Sequence, residues 1–200
     1  MPEKEESLIA AHRKPEFSVD PLFVNRWSPR AMSGEEIALE ELHSLFEAAR
    51  WAPSASNNQP WRFIYARRDT PAWKTLFDLM LEFNQSWTRN AAALVVIVSK
   101  KTFDIKETPS RTHSFDAGAA WQNLALQGSL RGLVVHGMAG FDYDRARKDL
   151  AVPDNHDIEA MVAVGKPGPV EGLPAALQKR EVPSDRKKIA EIVFEGRFKS

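Results

Sequence analysis

The segment Ala52 to Trp61, Ala-Pro-Ser-Ala-Ser-Asn-Asn-Gln-Pro-Trp, separates two patterns of different period and constrains the fold more than any other stretch. Upstream, Leu42, Leu45, Phe46 and Ala49 recur at helical spacing, with Glu40, Glu41 and Glu47 off that stripe. Downstream, Trp61, Phe63 and Tyr65 alternate with Arg62, Ile64 and Ala66, which predicts a strand. Proline fixes φ and lacks an N–H, so the helix cannot run on and is predicted to end at Trp51. Between the two patterns, Ser54, Ser56, Asn57, Asn58 and Gln59 offer short polar side chains and backbone N–H groups. Such a run either presents hydrogen-bond partners to a flat, polar-edged ligand or caps the helix and turns.

The rest of the chain alternates helical and strand-like patterns. Ser33-Gly34-Glu35-Glu36 has the form of a capping box and is expected to start the helix that ends at Trp51. Asp69-Thr70-Pro71 opens a second helix, with Trp73, Leu76, Phe77, Met80 and Leu81 on its apolar stripe. Leu94 to Val98 is a continuous apolar run, as in a strand buried on both faces. Residues 100–111 are polar and read as a surface excursion. A long helix is expected over 114–130, with Ala117, Trp121, Leu124 and Gly128 on one stripe. Its small residues suit the core of a monomer or a dimer interface equally. Short strands follow at 132–135 and 159–164, and Asp142 is placed to cap a helix reaching Leu150. Two glycines, Gly137 and Gly140, allow a sharp turn or a close approach to a ligand. The order of elements predicts an α+β fold, a mixed sheet with helices on both sides. Residues 1–20 are polar, with prolines at 2 and 15, and read as a loosely held arm; residues 21–200 read as one domain.

Composition excludes several functions. Lys+Arg and Asp+Glu both number 27, so no bulk charge draws the chain to nucleic acid or an anionic membrane. There is no cysteine, hence no thiolate metal site or thiol nucleophile. The apolar run 91–98 is far shorter than the roughly 20 residues of a spanning helix, and the N-terminus lacks an apolar signal core. A cytoplasmic protein is the default expectation. Histidines 12, 43, 113, 136 and 156 are too scattered to suggest a metal centre.

A second polar element lies upstream, Asn25-Arg26-Trp27-Ser28-Pro29-Arg30. Two guanidiniums flanking a hydroxyl suit a phosphate, which arginine binds in planar, bidentate fashion; the alternative is a solvated basic turn. Taken together, Arg26, Ser28 and Arg30, followed by Pro53, Ser54, Asn57, Gln59, Pro60 and Trp61, resemble the FMN-dependent nitroreductase family. The likeness extends through the Gly137-Met138-Ala139-Gly140 turn to the basic tail at Arg186, covering roughly residues 22–195. Trp27, Ala55 and Lys188 depart from the family's usual basic residue, hydroxyl and proline.

The resemblance implies an intertwined homodimer with two FMN sites at its interface. It implies that Arg26, Ser28, Arg30 and Arg186 of one subunit hold the phosphate and flavin tail, with Arg30 as the cation near the ring. Trp27 and Asn57 are further cofactor-binding candidates, and Pro53, Ser54 and Ala55 of the other subunit would pack beside the ring. Asn84 is a candidate polar contact at its rim, and backbone at Gly137, Met138, Ala139 and Gly140 would face its reactive edge. The implied chemistry is ping-pong, from NADH or NADPH through flavin N5 to a nitroaromatic or quinone, with no side-chain nucleophile and no metal. Reductive dehalogenation, flavin fragmentation and a flavin-binding dimer without turnover are the alternatives.

Overall fold

The computed structural model describes residues 3–198. Helices α1 (Glu3–His12), α2 (Pro21–Asn25) and α3 (Leu39–Arg50) precede strand β1 (Trp61–Arg67). Two short helices, α4 (Pro71–Phe77) and α5 (Glu82–Thr88), lead to β2 (Ala93–Lys100). The long α6 (His113–Leu130) is followed by β3 (Val134–Met138), α7 (Tyr143–Asp149), β4 (His156–Gly165) and the single-turn α8 (Ala175–Gln178).

The four strands form one sheet in the order β1-β2-β4-β3. All three pairings are antiparallel, so the α+β class holds while the sheet within this chain is not mixed. β2 and β4 lie in the middle, which explains their continuous apolar runs: each is covered on both faces. On one face, Leu94, Val96, Val98, Met161 and Ala163 pack with Leu76, Met80, Trp87 and Phe141. On the other, Val95, Ile97, Val162 and Val164 pack with Leu42, Leu45, Ala120 and Leu124 of α3 and α6. β1 keeps its alternation, with Trp61 on the α3–α6 side and Ala66 on the opposite one. Gly128 lets α6 sit close to β3, because a Cβ there would fall 2.2 Å from Val135 Cγ2.

Three expectations of local structure are corrected by long-range contacts. Ser33 does not cap a helix. Its N–H donates to Lys166 O, its hydroxyl accepts from Glu35 N, and α3 starts six residues later with no side-chain cap. The helix expected to carry Met80 and Leu81 on one stripe with Trp73 is broken after Phe77. Leu81 N–H donates to Gly140 O, and Met80 bridges to Phe141, so this stretch follows the 138–142 turn instead of its own helix. Residues 3–12, expected within a loosely held arm, form a helix whose Ile9 is buried. Asp142 does cap α7, accepting from Arg145 N at 2.9 Å.

Candidate flavin site

The Arg26–Arg30 element is an extended segment leaving α2, and buried groups fix it from both sides. Glu181, 6 % exposed, accepts from the N–H groups of Arg30 and Ala31. Beyond it, Gly168 N–H donates to Ala31 O, and Met32 pairs with Pro167. The approach at Gly168 is so close that a Cβ would lie 2.4 Å from the backbone carbon of Met32. The element is thus a strap laid across the loop that follows β4.

Three guanidiniums meet at the start of the strap. Arg26 donates from Nη1 to Ser28 Oγ at 3.2 Å. Burial, and after it the charge of Arg186, holds the Arg26 pKa below its ordinary value. Arg13 is lowered too, by burial first and then by Arg186 and Arg26. Arg186 is exposed, and its Nη1 donates to the carbonyls of Ser184 and Asp185 and to the Ser184 hydroxyl. Asp185 offsets part of the charge on Arg13, and the like charges that remain make a site for an anion with several acceptor oxygens.

From there a continuous strip of contacts runs to the 138–140 turn. His136 Nδ1 lies 2.9 Å from Pro29 O. A carbonyl can only accept, so Nδ1 carries the proton. Burial pulls the His136 pKa down to about 4, the nearby Arg30 and Arg26 charges adding to the effect, so the ring is neutral. Its centroid stands 4.6 Å from that of Trp87, and the Arg30 guanidinium lies 6.0 Å from the Trp87 ring. Arg30 is also 3.8 Å from Glu181 Oε2. Trp87 Nε1 donates to Asn84 Oδ1 at 3.2 Å, and Asn84 Nδ2 donates to Gly140 O at 2.9 Å. A cavity of 640 Å³ opens beside the strap, between Trp27 and Pro29 on one side and Ala125, Leu133 and Val170 on another. That is within the roughly 300–1,000 Å³ of small-molecule clefts.

The structure therefore brings together Arg26, Ser28, Arg30, Asn84, Gly140 and Arg186, and lines the cavity with Trp27. Ala139 is exposed at the turn. Met138 is part of the core, and Gly137 faces α6, where a Cβ would meet the Trp121 ring at 3.0 Å. The amide of Asn84 is engaged within the fold on both ends, as a brace for the turn. Sequence reasoning did not find Arg13, Trp87, His136 or Glu181. His136 stands one residue before the Gly137–Gly140 turn and Trp87 three residues after Asn84, but Arg13 and Glu181 act on residues 171 and 151 positions away.

Pro53, Ser54, Ala55 and Asn57 belong to a different region. Ala55 N–H donates to the buried Asp116 carboxylate at the start of α6, at 3.1 Å. Gln59 N–H donates to Ser54 Oγ, and Asn58 bonds through both amide atoms to Thr102 O and Asp104 N. Ser56, Asn57 and Gln59 all have left-handed backbone, with φ of 51°, 53° and 49°. Non-glycine residues there carry strain that the surroundings must hold in place. No group of three or more His, Asp or Glu side chains arranged to hold a metal is present among the described residues. Among them, too, no helix is long and apolar enough to cross a membrane.

Known proteins resemble this chain in sequence and in fold. A solved structure described as an oxidoreductase containing FMN is 47% identical, superposes with a TM-score of 0.90, and matches 94% of this chain and 96% of its own. A 15.4 kDa protein of Mycolicibacterium smegmatis with no assigned function is 32% identical over 68% of this chain and 97% of its own length. A protein of Archaeoglobus fulgidus, provisionally named an NADH dehydrogenase/NAD(P)H nitroreductase, is 28% identical over 73% of this chain and 83% of its own. The sequence model described as "Nitroreductase family" matches residues 24–82 and 66–166, which takes in the strap, the 53–59 loop, the whole sheet and the 138–140 turn, and the chain belongs to that family.

Proposed function

We propose that this protein is an FMN-dependent oxidoreductase that takes electrons from NADH or NADPH and delivers them to a nitroaromatic or quinone acceptor. The observation that carries this reading is the meeting of Arg26, Arg186 and Ser28 at one end of a strip that ends at the 138–140 turn. The fit to FMN rests on the phosphate end, where crowded guanidiniums suit a phosphate dianion; the cavity beside Trp27 and Pro29 is lined by none of Arg30, Asn84 or Gly140.

FMN, when bound, supplies the redox chemistry itself, accepting a hydride equivalent at N5 and passing electrons on. The protein binds and tunes. Arg26, Ser28 and Arg186 hold the phosphate. Arg30 places positive charge beside the ring, which favours the reduced form; Glu181 offsets part of that charge and fixes the backbone of Arg30 and Ala31. The backbone of Ala139 and Gly140, held by Asn84 and Leu81, directs donors at the ring edge. His136 stays neutral and keeps the strap against β3.

The second wall of each site comes, in this reading, from a partner copy. The 53–57 loop is tied to α6 and the 101–109 excursion, away from the strap. α6 exposes Phe115 and Leu130, 80 % and 66 % accessible, on a face suited to a second copy.

The test is anaerobic. Protein loaded with FMN should bleach with NADH or NADPH and regain its yellow colour with a nitroaromatic or a quinone. A protein that neither binds FMN nor bleaches would end the proposal.

A further inference from the structure

The family model begins at residue 24, yet the segment before it, residues 3–23, touches both halves of the proposed phosphate clasp. Arg13 is only 9 % exposed. Its Nη1 donates to Val24 O at 2.6 Å and to Arg26 O at 2.8 Å. Its Nε donates to Ser184 O at 2.9 Å. One planar group thus joins the segment bearing Arg26 to the segment bearing Arg186. Three residues on, Glu16 Oε2 accepts from Ile189 N at 2.7 Å. The tail is therefore held at 184 and again at 189, with Arg186 between the two ties.

We infer that the N-terminal extension, through Arg13 and Glu16, sets the spacing of the Arg26 and Arg186 guanidiniums and thereby selects a phosphorylated flavin over its unphosphorylated form. The inference rests on the FMN reading and deepens it. Three Arg13 N–H donors, from Nε and Nη1, are spent on backbone carbonyls of the strap and the tail, which makes it a positioning residue. Its charge adds to the crowding, which favours an anion, while its fork counters that crowding by fixing the strap and the tail. A lysine would keep the charge but lacks the fork, so it cannot bond the three carbonyls in this planar arrangement. A free tail would let Arg186 swing toward solvent, and the clasp would lose its second half.

The test compares FMN with riboflavin, which has the same ring and no phosphate. Flavin-free protein is titrated with each by fluorescence quenching, for the wild type, Arg13→Lys, Arg13→Gln and Glu16→Ala. FMN affinity is expected to fall about tenfold in both Arg13 variants, the scale of a displaced charge-assisted contact, and less in Glu16→Ala. Riboflavin affinity should stay within about twofold, because riboflavin has no phosphate for the Arg26 and Arg186 guanidiniums to hold. A merely structural role would weaken both flavins alike, and that result overturns the inference. So does an unchanged FMN-to-riboflavin ratio in Arg13→Lys. If the Arg13 variants do not fold, Glu16→Ala decides, since Glu16 is exposed and the change removes the acceptor for Ile189 N–H. A wild type that binds FMN and riboflavin equally overturns the phosphate assignment itself. A wild type that prefers FMN, with every variant unchanged, overturns this inference alone.

Discussion

The Asn84 side chain donates to the Gly140 carbonyl at 2.9 Å, and a Cβ at Gly140 would lie only 2.7 Å from the same amide nitrogen. The two residues are fitted to one another, 56 positions apart. Gly140→Ala should push the amide aside, breaking its bonds to Gly140 and Trp87. The expected loss is about 1–2 kcal/mol of stability, with weaker FMN binding. In a double-mutant cycle with Asn84→Ala, the cost of the glycine change should shrink, because the obstacle has gone. Urea unfolding measures all four proteins.

Gly168→Ala should be far more damaging. Its Cβ would fall 2.4 Å from the carbon and 2.6 Å from the oxygen of Met32 backbone, which no rotamer change can relieve. The strap must move off the loop, at about 3 kcal/mol or more. The measurement is the urea midpoint, and an unchanged midpoint would contradict the close approach.

Stability should fall in acid because of His136. Its folded pKa is about 4 against 6.5 for the free side chain. The unfolded chain therefore takes up a proton in a window where the folded one does not. The contribution of His136 is complete above pH 6.5 and is lost as pH falls toward 4, amounting to about 3 kcal/mol in all and about 2 kcal/mol by pH 5. His136→Gln should flatten the unfolding free energy between pH 7 and 4.5 relative to wild type.

Removing the counter-charge of Arg30 should be visible in the flavin. Glu181→Gln keeps an acceptor for the Arg30 and Ala31 N–H groups but no longer offsets the guanidinium. The bound flavin should become easier to reduce, with a midpoint potential more positive by about 30 mV, the two-electron equivalent of about 1.4 kcal/mol. Spectroelectrochemical titration reads the shift. A negative shift would remove Arg30 from the role given to it.

Leu130→Glu puts a charge on the outer face of α6, where Leu130 is 66 % exposed in a single chain. If that face meets a second copy, sedimentation should show dissociation, and FMN should be lost along with the 53–57 wall. A protein that sediments unchanged and keeps its flavin would exclude this face from the interface.

Much of the fold could be read from local pattern. The alternation at 61–66, the apolar runs at 94–98 and 159–164 and the stripe of α6 all correspond to observed elements, because sheet and helix periods are imposed by the backbone itself. Asp142 was legible for the same reason: a cap acts within three residues. Ser33 misled because its motif is local while its partner, Lys166, lies across the chain. The break after Phe77 was hidden likewise, since only Gly140 and Phe141 explain it. In the site, the arginines and the turn were recognisable as motifs. The groups that aim them, Arg13 and Glu181, carry no signal near their own positions.

The three left-handed residues at 56, 57 and 59 have a consequence for the order of events during folding. Each sits in a backbone region that costs an ordinary residue roughly 1 kcal/mol or more, so the loop cannot hold its shape as an isolated peptide. It acquires that shape from Asp116 of α6 and from the 102–104 backbone that Asn58 grips. Those partners must already be docked. The wall beside Pro53 is therefore among the last surfaces to mature, and competence to take up a flavin should lag behind the burial of tryptophan in the core.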